Sequence, residues 1–343
     1  MIVIGIDSHK DTLAGALADQ RGRLVTSRSF PNTPKGHTEV VSWTQSTDAE
    51  RVAVEGSGKY GRPLALALLA AGVDTVEVPP QMTARARRGQ RTGTKTDQSD
   101  ALLIARIGAR EPDLPRPRPQ GAAEDLRCLV FYRRELVQHR QRTINRLHSD
   151  LEQLRCGYQH KIPTRLTSPQ ALTRISRLLS GDTTTRGLVA KHRIADIRRQ
   201  NRQIDEITTQ IESLIRTCGT PLTDIYGIGD ILAAEILAEV GDPTRYPTKA
   251  KFAMANGTAP LEASSGRVKR HRLNRGGNRQ LNRAIHIAAT TQINRPGTEG
   301  RTFYQKKLAA GKSKREATRA LKRRISDRIW THLQPPKTHP HLT

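Results

Sequence analysis

Four carboxylates, each at the edge of an apolar segment, constrain the fold of this chain more than any other feature. Asp7 and Glu55 each end a short apolar run that has the character of a strand. Asp97 and Asp100 are three residues apart at the start of a run with helical spacing, so their side chains share one helix face. Converging carboxylates repel one another, and Mg²⁺, which takes oxygen ligands and leaves positions open for phosphate oxygens, is the usual compensation. The sequence therefore predicts a Mg²⁺ site suited to phosphoryl transfer.

Each acid also has an ordinary structural explanation when it is taken alone. Asp7 and Glu55 could be turn residues that follow a strand. Asp97 and Asp100 could stabilise a helix N-terminus, where acids are favoured. The joint site is preferred because it explains four such placements at once in a chain that is otherwise strongly basic. Asp11 is a further acid, and we interpret it as a residue of a surface turn.

The charge of the chain predicts a polyanionic partner. There are 58 Lys and Arg residues against 32 Asp and Glu residues, a net charge of +26 that is spread along the whole length. Nucleic acid is the simplest such partner. A membrane is less suitable, because no apolar run approaches the ~20 residues that cross a bilayer and no signal-like segment is present. Three separated cysteines offer neither a disulfide framework nor a zinc spacing, which indicates reduced thiols in a cytoplasmic protein.

Residues 1–111 alternate between strand and helix patterns. Strands are predicted at 2–6, 12–17, 23–30, 52–55 and 76–78, and helices at 35–45, 62–71 and 96–110. Three consecutive strands followed by helix, strand, helix, strand and helix is the order of a ribonuclease-H-like α/β fold. Residues 112–120 alternate prolines with other residues and predict a stiff linker.

The middle of the chain, residues 121–218, is predicted to be helical. Apolar residues recur there every seven positions, at Val130, Val137, Ile144 and Leu151. Arg133 and Arg140 interrupt the second seam of a regular coiled coil. The two long helices, at 121–156 and 188–216, could form a hairpin within one chain or a contact between subunits, and the pattern does not decide between these.

Residues 219–332 are predicted to form a third, mainly helical domain, followed by a disordered tail at 333–343. Gly227 and Gly229 bracket a turn before an apolar helix, as in a helix-hairpin-helix element, and such a turn can approach a phosphate. A Gly-x-Gly turn is also often just a tight connection. Lys95, beside the acid pair, is either a phosphate contact or merely solvated. Basic residues around a Ser-Ser-Gly sequence are further candidates for phosphate contacts: Arg267, Lys269, Arg270, Arg272, Arg275 and Arg279.

Ser265 belongs to that Ser-Ser-Gly sequence and has two interpretations. It is either an ordinary loop residue or a nucleophile, and a serine nucleophile needs a base or a metal to activate its hydroxyl. The neighbouring Arg267 and Lys269 could stabilise charge on an attacked phosphate. The residues alone leave the two interpretations open.

In order and spacing, these motifs resemble the DEDD transposases of bacterial insertion sequences of the IS110 type, which are bridge-RNA-guided serine recombinases. The segments 5–7, 54–58 and 95–101 resemble the RuvC-like amino-terminal domain of that family. The segments 227–229, 252–260, 265–266 and 275–283 resemble its carboxy-terminal serine transposase domain. The resemblance covers nearly the whole chain.

The resemblance implies a mechanism and partners. It implies that DNA is cut, exchanged and rejoined through a phosphoserine link to Ser265. It implies a guide RNA that chooses the target by base pairing, and a homo-oligomer, a dimer or a tetramer, in which sites from different subunits combine. In a bacterial cell such a protein would be associated with the nucleoid. The residues implied to bind Mg²⁺ are Asp7, Glu55, Asp97 and Asp100.

Two details remain open. The family commonly has an acidic residue immediately before its serine, whereas this chain has Ser264 there, so Ser264 is an alternative nucleophile. A metal-dependent nuclease or junction resolvase that uses water would need the four acids but not Ser265. A non-catalytic nucleic-acid-binding protein would need neither.

Overall fold

The computed structural model describes residues 1–88, 96–119, 121–162, 165–262, 271–272, 274 and 276–334. The chain divides into two compact units, residues 1–121 and 122–343. In the described part of the chain, no helix is long and apolar enough to span a bilayer.

The first unit is built on a five-stranded mixed sheet with helices on both faces. Its strands are β1 (Val3–Ser8), β2 (Thr12–Ala18), β3 (Leu24–Pro31), β4 (Arg51–Glu55) and β5 (Thr75–Val78). Its helices are α1 (Pro34–Gln45), α2 (Arg62–Ala70), α3 (Pro80–Arg88) and α4 (Asp97–Arg110). The strand order is β3-β2-β1-β4-β5, with β1 antiparallel to β2 and parallel to β4. This confirms the predicted ribonuclease-H-like α/β fold; helix α3 is an element that the sequence pattern did not indicate.

The two faces of β1 have different neighbours. Ile4 and Ile6 are fully buried in a cluster with residues of α1 and α2. Gly5 and Asp7, which have the opposite parity, point to the other face. A Cβ atom on Gly5 would lie 2.1 Å from the carbonyl oxygen of Ala101, so only glycine lets α4 approach the strand this closely. That contact brings the start of α4 to the end of β1.

The proline-rich segment that the sequence predicts as a linker packs alongside β5. Leu114 is buried in the cluster beneath α4. The carbonyl of Pro115 accepts a hydrogen bond of 2.6 Å from the backbone N–H of Glu77, and Arg116 forms an ion pair of 2.7 Å with Asp74. The segment therefore covers an otherwise open edge of the sheet.

The second unit is mainly helical. Its helices are α5 (Ala122–Leu154), α6 (Pro169–Leu178), α7 (Thr185–Cys218), α8 (Asp230–Val240), α9 (Lys249–Ala255), α10 (Arg279–Asn294), α11 (Glu299–Ala309) and α12 (Lys314–Leu333). Its strands β6 (Leu261–Glu262) and β7 (His271–Arg272) pair antiparallel. Short 3-10 helices lie at Tyr158–His160, Pro221–Asp224 and Pro243–Arg245.

Helices α5 and α7 form an antiparallel hairpin within the chain. The start of α5 and the end of α7 share one buried cluster, and the end of α5 and the start of α7 share another. Arg133 and Arg140, the charged residues of the seam, donate hydrogen bonds of 2.8 and 2.7 Å to Thr208 and Asn201 of α7. Much of the apolar seam is thus buried inside one chain, and polar partners on α7 satisfy its two arginines.

One core joins this hairpin to the carboxy-terminal helices. Leu126 of α5 and Ile211 of α7 lie in the same buried cluster as residues of α8, α10 and α12. The regions that the sequence divides at residue 219 therefore fold around a common core. The predicted tail lies outside the described residues from position 335 onward.

Candidate metal centre and nucleic-acid interface

Asp7 and Glu55 occupy paired positions on neighbouring parallel strands. Asp7 is the residue before the last of β1, and Glu55 is the last residue of β4. Paired residues on adjacent strands point to the same face, with the strands about 4.8 Å apart. Here that face is the one that carries α4. Asp7 is 7% exposed, so its carboxylate is largely removed from water.

A capping box fixes the position of the acid pair on α4. The Thr96 hydroxyl accepts from the backbone N–H of Ser99, and the Ser99 hydroxyl accepts from that of Thr96, both at 3.1 Å. This arrangement starts the helix at Asp97. Asp97 and Asp100 therefore lie in the first turn on one face, with the Asp100 side chain buried and the Asp97 side chain 66% exposed.

Three of the carboxylates lie close enough to the fourth, Asp7, to affect the ionisation of Asp7. Burial raises the pKa of Asp7 above its ordinary value, and His9 partly offsets this. The negative charges of Glu55, Asp100 and Asp97 each raise the pKa of Asp7 further. The structure thus brings together the four acids that the sequence singles out.

Helix α3 supplies two partners for these acids. The Thr83 hydroxyl lies 2.5 Å from Oε1 of Glu55, and Arg87 contacts both carboxylate oxygens of Asp100, at 2.8 and 2.7 Å. Thr83 and Arg87 are four residues apart, so one face of α3 covers the two acids. Arg87 neutralises part of the negative charge that the cluster accumulates.

His9, like Thr83 and Arg87, belongs to this site although the sequence pattern did not indicate it. Its Nε2 lies 3.3 Å from Oδ2 of Asp7 and 3.5 Å from Oδ1 of Asp97. One ligand atom from each of these three residues lies within 4.8 Å of the others. A histidine two residues after a strand-end acid was the available signal for His9. The signal for Thr83 and Arg87 was weaker, because α3 is short and mostly polar, with three arginines among its nine residues.

This donor set fits a divalent cation. Hard carboxylate oxygens crowd around Asp7, whose charge is desolvated, and the nearby positive group is a guanidinium that an ion could replace. The exposed Asp97 and the half-exposed His9 leave one side of the cluster open to solvent. A phosphate group could reach the cluster from that side.

The proposed nucleophile lies between two described strands of the second unit. The short strands β6 and β7 pair Leu261 with Arg272 and Glu262 with His271. The residues that join them, among them Ser264, Ser265, Arg267, Lys269 and Arg270, lie outside the described residues, as do Lys95 and Arg275. The pairing brackets this segment at both ends.

Three asparagines anchor the chain on either side of the two-stranded ribbon that β6 and β7 form. Asn278 caps α10 and donates a hydrogen bond of 2.9 Å to Glu239 of α8. Asn282 donates one of 2.8 Å to the carbonyl of Asn256, and Asn256 donates one of 2.8 Å to Ser326 of α12. These bonds tie the segments that precede and follow the ribbon to the helical core.

Gly227, Gly229 and Arg279 are the other predicted contacts in the second unit. Gly227 has a φ of +86°, and a Cβ there would lie 3.0 Å from the carbonyl of Ala288, so a structural reason for glycine exists. Gly229 is the exposed N-cap of α8, without a side-chain cap and with open space beside it. Arg279 is exposed at the start of α10. Arg272 lies in β7, where only its backbone is described.

Comparison with known proteins identifies relatives over nearly the full length. The chain is 27% identical to the insertion element IS116 uncharacterized 44.8 kDa protein of Streptomyces clavuligerus, covering 97% of this chain and 94% of that protein. It is 24% identical to the pilin gene-inverting protein of Moraxella bovis, covering 94% and 92%. It also has a likeness to Thermus thermophilus RuvC in complex with a Holliday junction substrate, at 21% identity and a TM-score of 0.26, covering 31% of this chain and 90% of that one.

Family models match both units. A transposase model of the DEDD type for IS110 matches residues 4–155, which include all four acids. The model described as transposase IS116/IS110/IS902 family matches residues 219–305, which include Ser265 and the ribbon. The two models match most of the chain in the predicted order, and the chain belongs to the IS116/IS110/IS902 family of insertion-sequence transposases.

Proposed function

We propose that this transposase cuts, exchanges and rejoins DNA through a phosphoserine intermediate on Ser265, with Mg²⁺ at the four acids and a guide RNA that selects the target. The observation that carries the proposal is the convergence of three carboxylates on the buried Asp7. Such a cluster is costly to assemble in a fold without a cation. A transposase that carries out phosphoryl transfer can use a bound cation to stabilise the reacting oxygens.

Asp7, Glu55, Asp97 and Asp100 would hold the metal. When bound, Mg²⁺ supplies positive charge that stabilises the attacking and leaving oxygens of a phosphoryl transfer. Replacing any one of the four by Ala is expected to abolish recombination and to weaken Mg²⁺ binding, while circular dichroism shows that the fold is retained. Full activity in an Asp7→Ala protein would contradict this role.

Ser265 would carry the covalent step. Its hydroxyl oxygen forms a bond to the DNA phosphorus as the bond from phosphorus to a deoxyribose oxygen breaks. The serine proton is released and the leaving oxygen gains a proton, so the phosphodiester is exchanged for a phosphoserine ester. The reverse reaction with another strand end rejoins DNA without an external energy source. The similarity to a pilin gene-inverting protein supports a reaction in which cut strands are joined again.

Backbone contacts would hold the nucleic acids. The net charge of +26 and the exposed Arg279 suit phosphate binding. We assign the same role to Gly227, Gly229, Lys95 and the basic residues on either side of Ser265. Because aromatic residues make up 3% of the chain, reading of the target by base stacking is disfavoured, and pairing with a guide RNA would supply sequence choice instead.

The test is a denaturing gel of the protein incubated with element-end DNA, its RNA and Mg²⁺. A protein–DNA adduct is expected with the wild type and with Ser264→Ala, and not with Ser265→Ala. Loss only in Ser264→Ala would move the nucleophile by one residue. Metal-dependent cleavage with no adduct in any of the three would favour the alternative, a RuvC-like nuclease in which water attacks and the same four acids act. No cleavage at all would favour a binding protein.

Subunit mixing tests the proposed oligomer. Asp7→Ala and Ser265→Ala proteins should each be inactive alone. If the acids of one subunit serve the serine of another, a mixture of the two contains some intact composite sites and regains part of the adduct formation. A mixture that stays inactive, although the subunits exchange, would place both groups of each site in the same subunit.

A further inference from the structure

His9 lies close to two carboxylates, but at distances that are long for hydrogen bonds. Its Nε2 is 3.3 Å from Asp7 and 3.5 Å from Asp97, distances longer than the 2.7–2.9 Å of a charge-assisted N–H···O bond. A single Nε2–H also cannot point well at two carboxylates. Ligand atoms on neighbouring positions around an ion at 2.0–2.1 Å are about 3 Å apart. The two distances from His9 are therefore closer to the spacing between ligands around one ion than to that of a hydrogen-bonded histidine.

The other histidine in the first unit with a described partner behaves differently. His37 is buried, and its Nε2 lies 2.7 Å from Oδ1 of Asn32, which is an ordinary hydrogen bond. The side chain of His9 is 48% exposed at the open side of the acid cluster. Its position there is not explained by packing.

The partners of the acids divide the cluster into two halves. Glu55 has the Thr83 hydroxyl and Asp100 has Arg87. Among the residues that the structure describes, His9 is the side-chain partner of both Asp7 and Asp97. Since Asp7 is about nine-tenths buried, its carboxylate has lost most of its hydration as well. This half of the cluster is the one whose charge a cation would best compensate.

We infer that His9 is a metal ligand, which together with Asp7 and Asp97 forms a mixed nitrogen and oxygen site that prefers Mn²⁺ to Mg²⁺. The inference rests on the proposed function of the acid cluster and adds to it a nitrogen donor and an ion preference. Imidazole is a common ligand of transition ions, whereas Mg²⁺ is bound mainly through oxygen. Mn²⁺ accepts both kinds of donor. The exposed Asp97 and His9 leave further positions of such an ion to water or to phosphate.

The test uses the full-length protein and Mn²⁺ alone. Pulsed electron paramagnetic resonance on protein labelled with ¹⁵N-histidine reports whether a histidine nitrogen is bound to Mn²⁺. The nitrogen coupling is expected in the wild type and in His37→Gln, and it should disappear in His9→Gln. Calorimetric titration should show that His9→Gln weakens Mn²⁺ binding by about tenfold or more, with a much smaller loss for Mg²⁺.

The outcomes separate this inference from the proposed function. If the wild type binds Mn²⁺ without nitrogen coupling, and His9→Gln binds it equally well while Asp7→Asn does not, the acid site stands and the role of His9 is overturned. If the wild type binds neither ion, the metal site itself is wrong, and the role of His9 falls with it. Unchanged thermal unfolding of His9→Gln without metal would show that a lower affinity does not result from misfolding.

Discussion

Arg87 donates a hydrogen bond of 2.8 Å from Nε to Oδ1 of Asp100, and its Nη2 lies 2.7 Å from Oδ2 of the same carboxylate in an ion pair. Both oxygens of a proposed metal ligand are therefore already engaged. A cation that used Asp100 would have to displace the guanidinium or share the carboxylate with it. Arg87 of helix α3 would therefore compete with a cation for Asp100, in addition to neutralising part of the negative charge of the cluster.

Removing this competitor should strengthen metal binding. We expect Arg87→Ala to bind Mg²⁺ about three- to fivefold more tightly, the equivalent of about 1 kcal/mol for a partly exposed ion pair. Calorimetric titration of the full-length protein measures the change. Arg85→Ala is the matched control, because it removes the same charge from an exposed position on α3. Equal gains in both variants would indicate a general charge effect, and weaker binding in Arg87→Ala would show that Arg87 supports the site.

The raised pKa of Asp7 predicts a pH-dependent stability. Because burial and the neighbouring carboxylates hold the proton on Asp7 more tightly than in the unfolded chain, ionising this group destabilises the metal-free fold. This cost is absent below the ordinary pKa of 3.8 and grows as the pH rises through the folded pKa. Asp7→Asn should therefore raise the thermal midpoint in EDTA at pH 7, by about 2–4 °C for each kcal/mol relieved.

The comparison is made by calorimetry in EDTA between pH 4 and 8. The advantage of Asp7→Asn should shrink as the pH falls toward 4, and added Mg²⁺ should favour the wild type. Asp11→Asn, an exposed change of the same kind, should have little effect at any pH. A lower midpoint for Asp7→Asn at pH 7 in EDTA would mean that its contact with His9 outweighs the burial cost.

The strand-end acids were predictable because each follows a local pattern. The parity of β1 and β4 and the order of the strands put Asp7 and Glu55 on one face at one edge, and a capping box starts α4 at Asp97. Thr83 and Arg87 were not predictable in this way. Helix α3 is short and carries three arginines, and Met82 and Ala86 pack against the apolar cluster of α4. Its position also depends on tertiary contacts with Glu55 and Asp100.

The partner of each long helix was likewise not predictable from the sequence. A seven-residue repeat indicates which face of a helix is buried, but it does not say which helix covers that face. The same repeat in α5 would suit a partner in a second subunit. In the structure α7 of the same chain covers it, and Thr208 and Asn201 of α7 satisfy the two arginines that interrupt the seam.

The close approach of α4 to β1 predicts a requirement for glycine at position 5. A Cβ in Gly5→Ala would lie 2.1 Å from the Ala101 carbonyl oxygen and 2.3 Å from the Ala105 nitrogen, which are backbone atoms that cannot rotate away. The helix must move, and Asp97 and Asp100 move with it. We expect a loss of stability of at least about 1–3 kcal/mol together with weaker Mg²⁺ binding. Urea unfolding and calorimetry measure the two effects.

Gly58→Ala is the control for this change, because no atom lies within 4 Å of a Cβ at that position. It should keep the stability and the Mg²⁺ affinity of the wild type. If Gly5→Ala were as stable as the wild type, α4 would not be held against β1 by this contact.

Gly276 and Gly277 allow the role of the second unit in adduct formation to be tested separately from Mg²⁺ binding by the first unit. A Cβ in Gly277→Ala would lie 2.2 Å from the backbone nitrogen of Gly257, whereas the nearest atom to one in Gly276→Ala is 3.5 Å away, at Asn274. Gly277→Ala should displace the chain next to the ribbon and prevent adduct formation on Ser265. Gly276→Ala should be tolerated. Both variants should bind Mg²⁺ normally, and a loss of Mg²⁺ binding in Gly277→Ala would contradict the assignment of the metal to the first unit.

If the basic residues next to Ser265 contact DNA phosphates, the salt dependence of DNA binding should change when they are replaced. If Arg267 and Lys269 contact phosphates, each contact releases condensed counterions when it forms. Changing both to Gln should flatten the slope of log affinity against log salt by roughly one to two units. Fluorescence anisotropy with element-end DNA in EDTA measures binding without cleavage.

The control for the Arg267 and Lys269 double variant removes two charges that are already paired with acids. Arg199 and Arg216 of α7 form ion pairs with Asp196 and Glu212 on the same helix. Changing both to Gln lowers the formal charge equally but removes no contact near Ser265, so the slope should stay close to that of the wild type. Equal flattening in the two double variants would indicate only the long-range field of a very basic protein. An unchanged slope in the Arg267 and Lys269 variant would assign these residues a role other than phosphate binding.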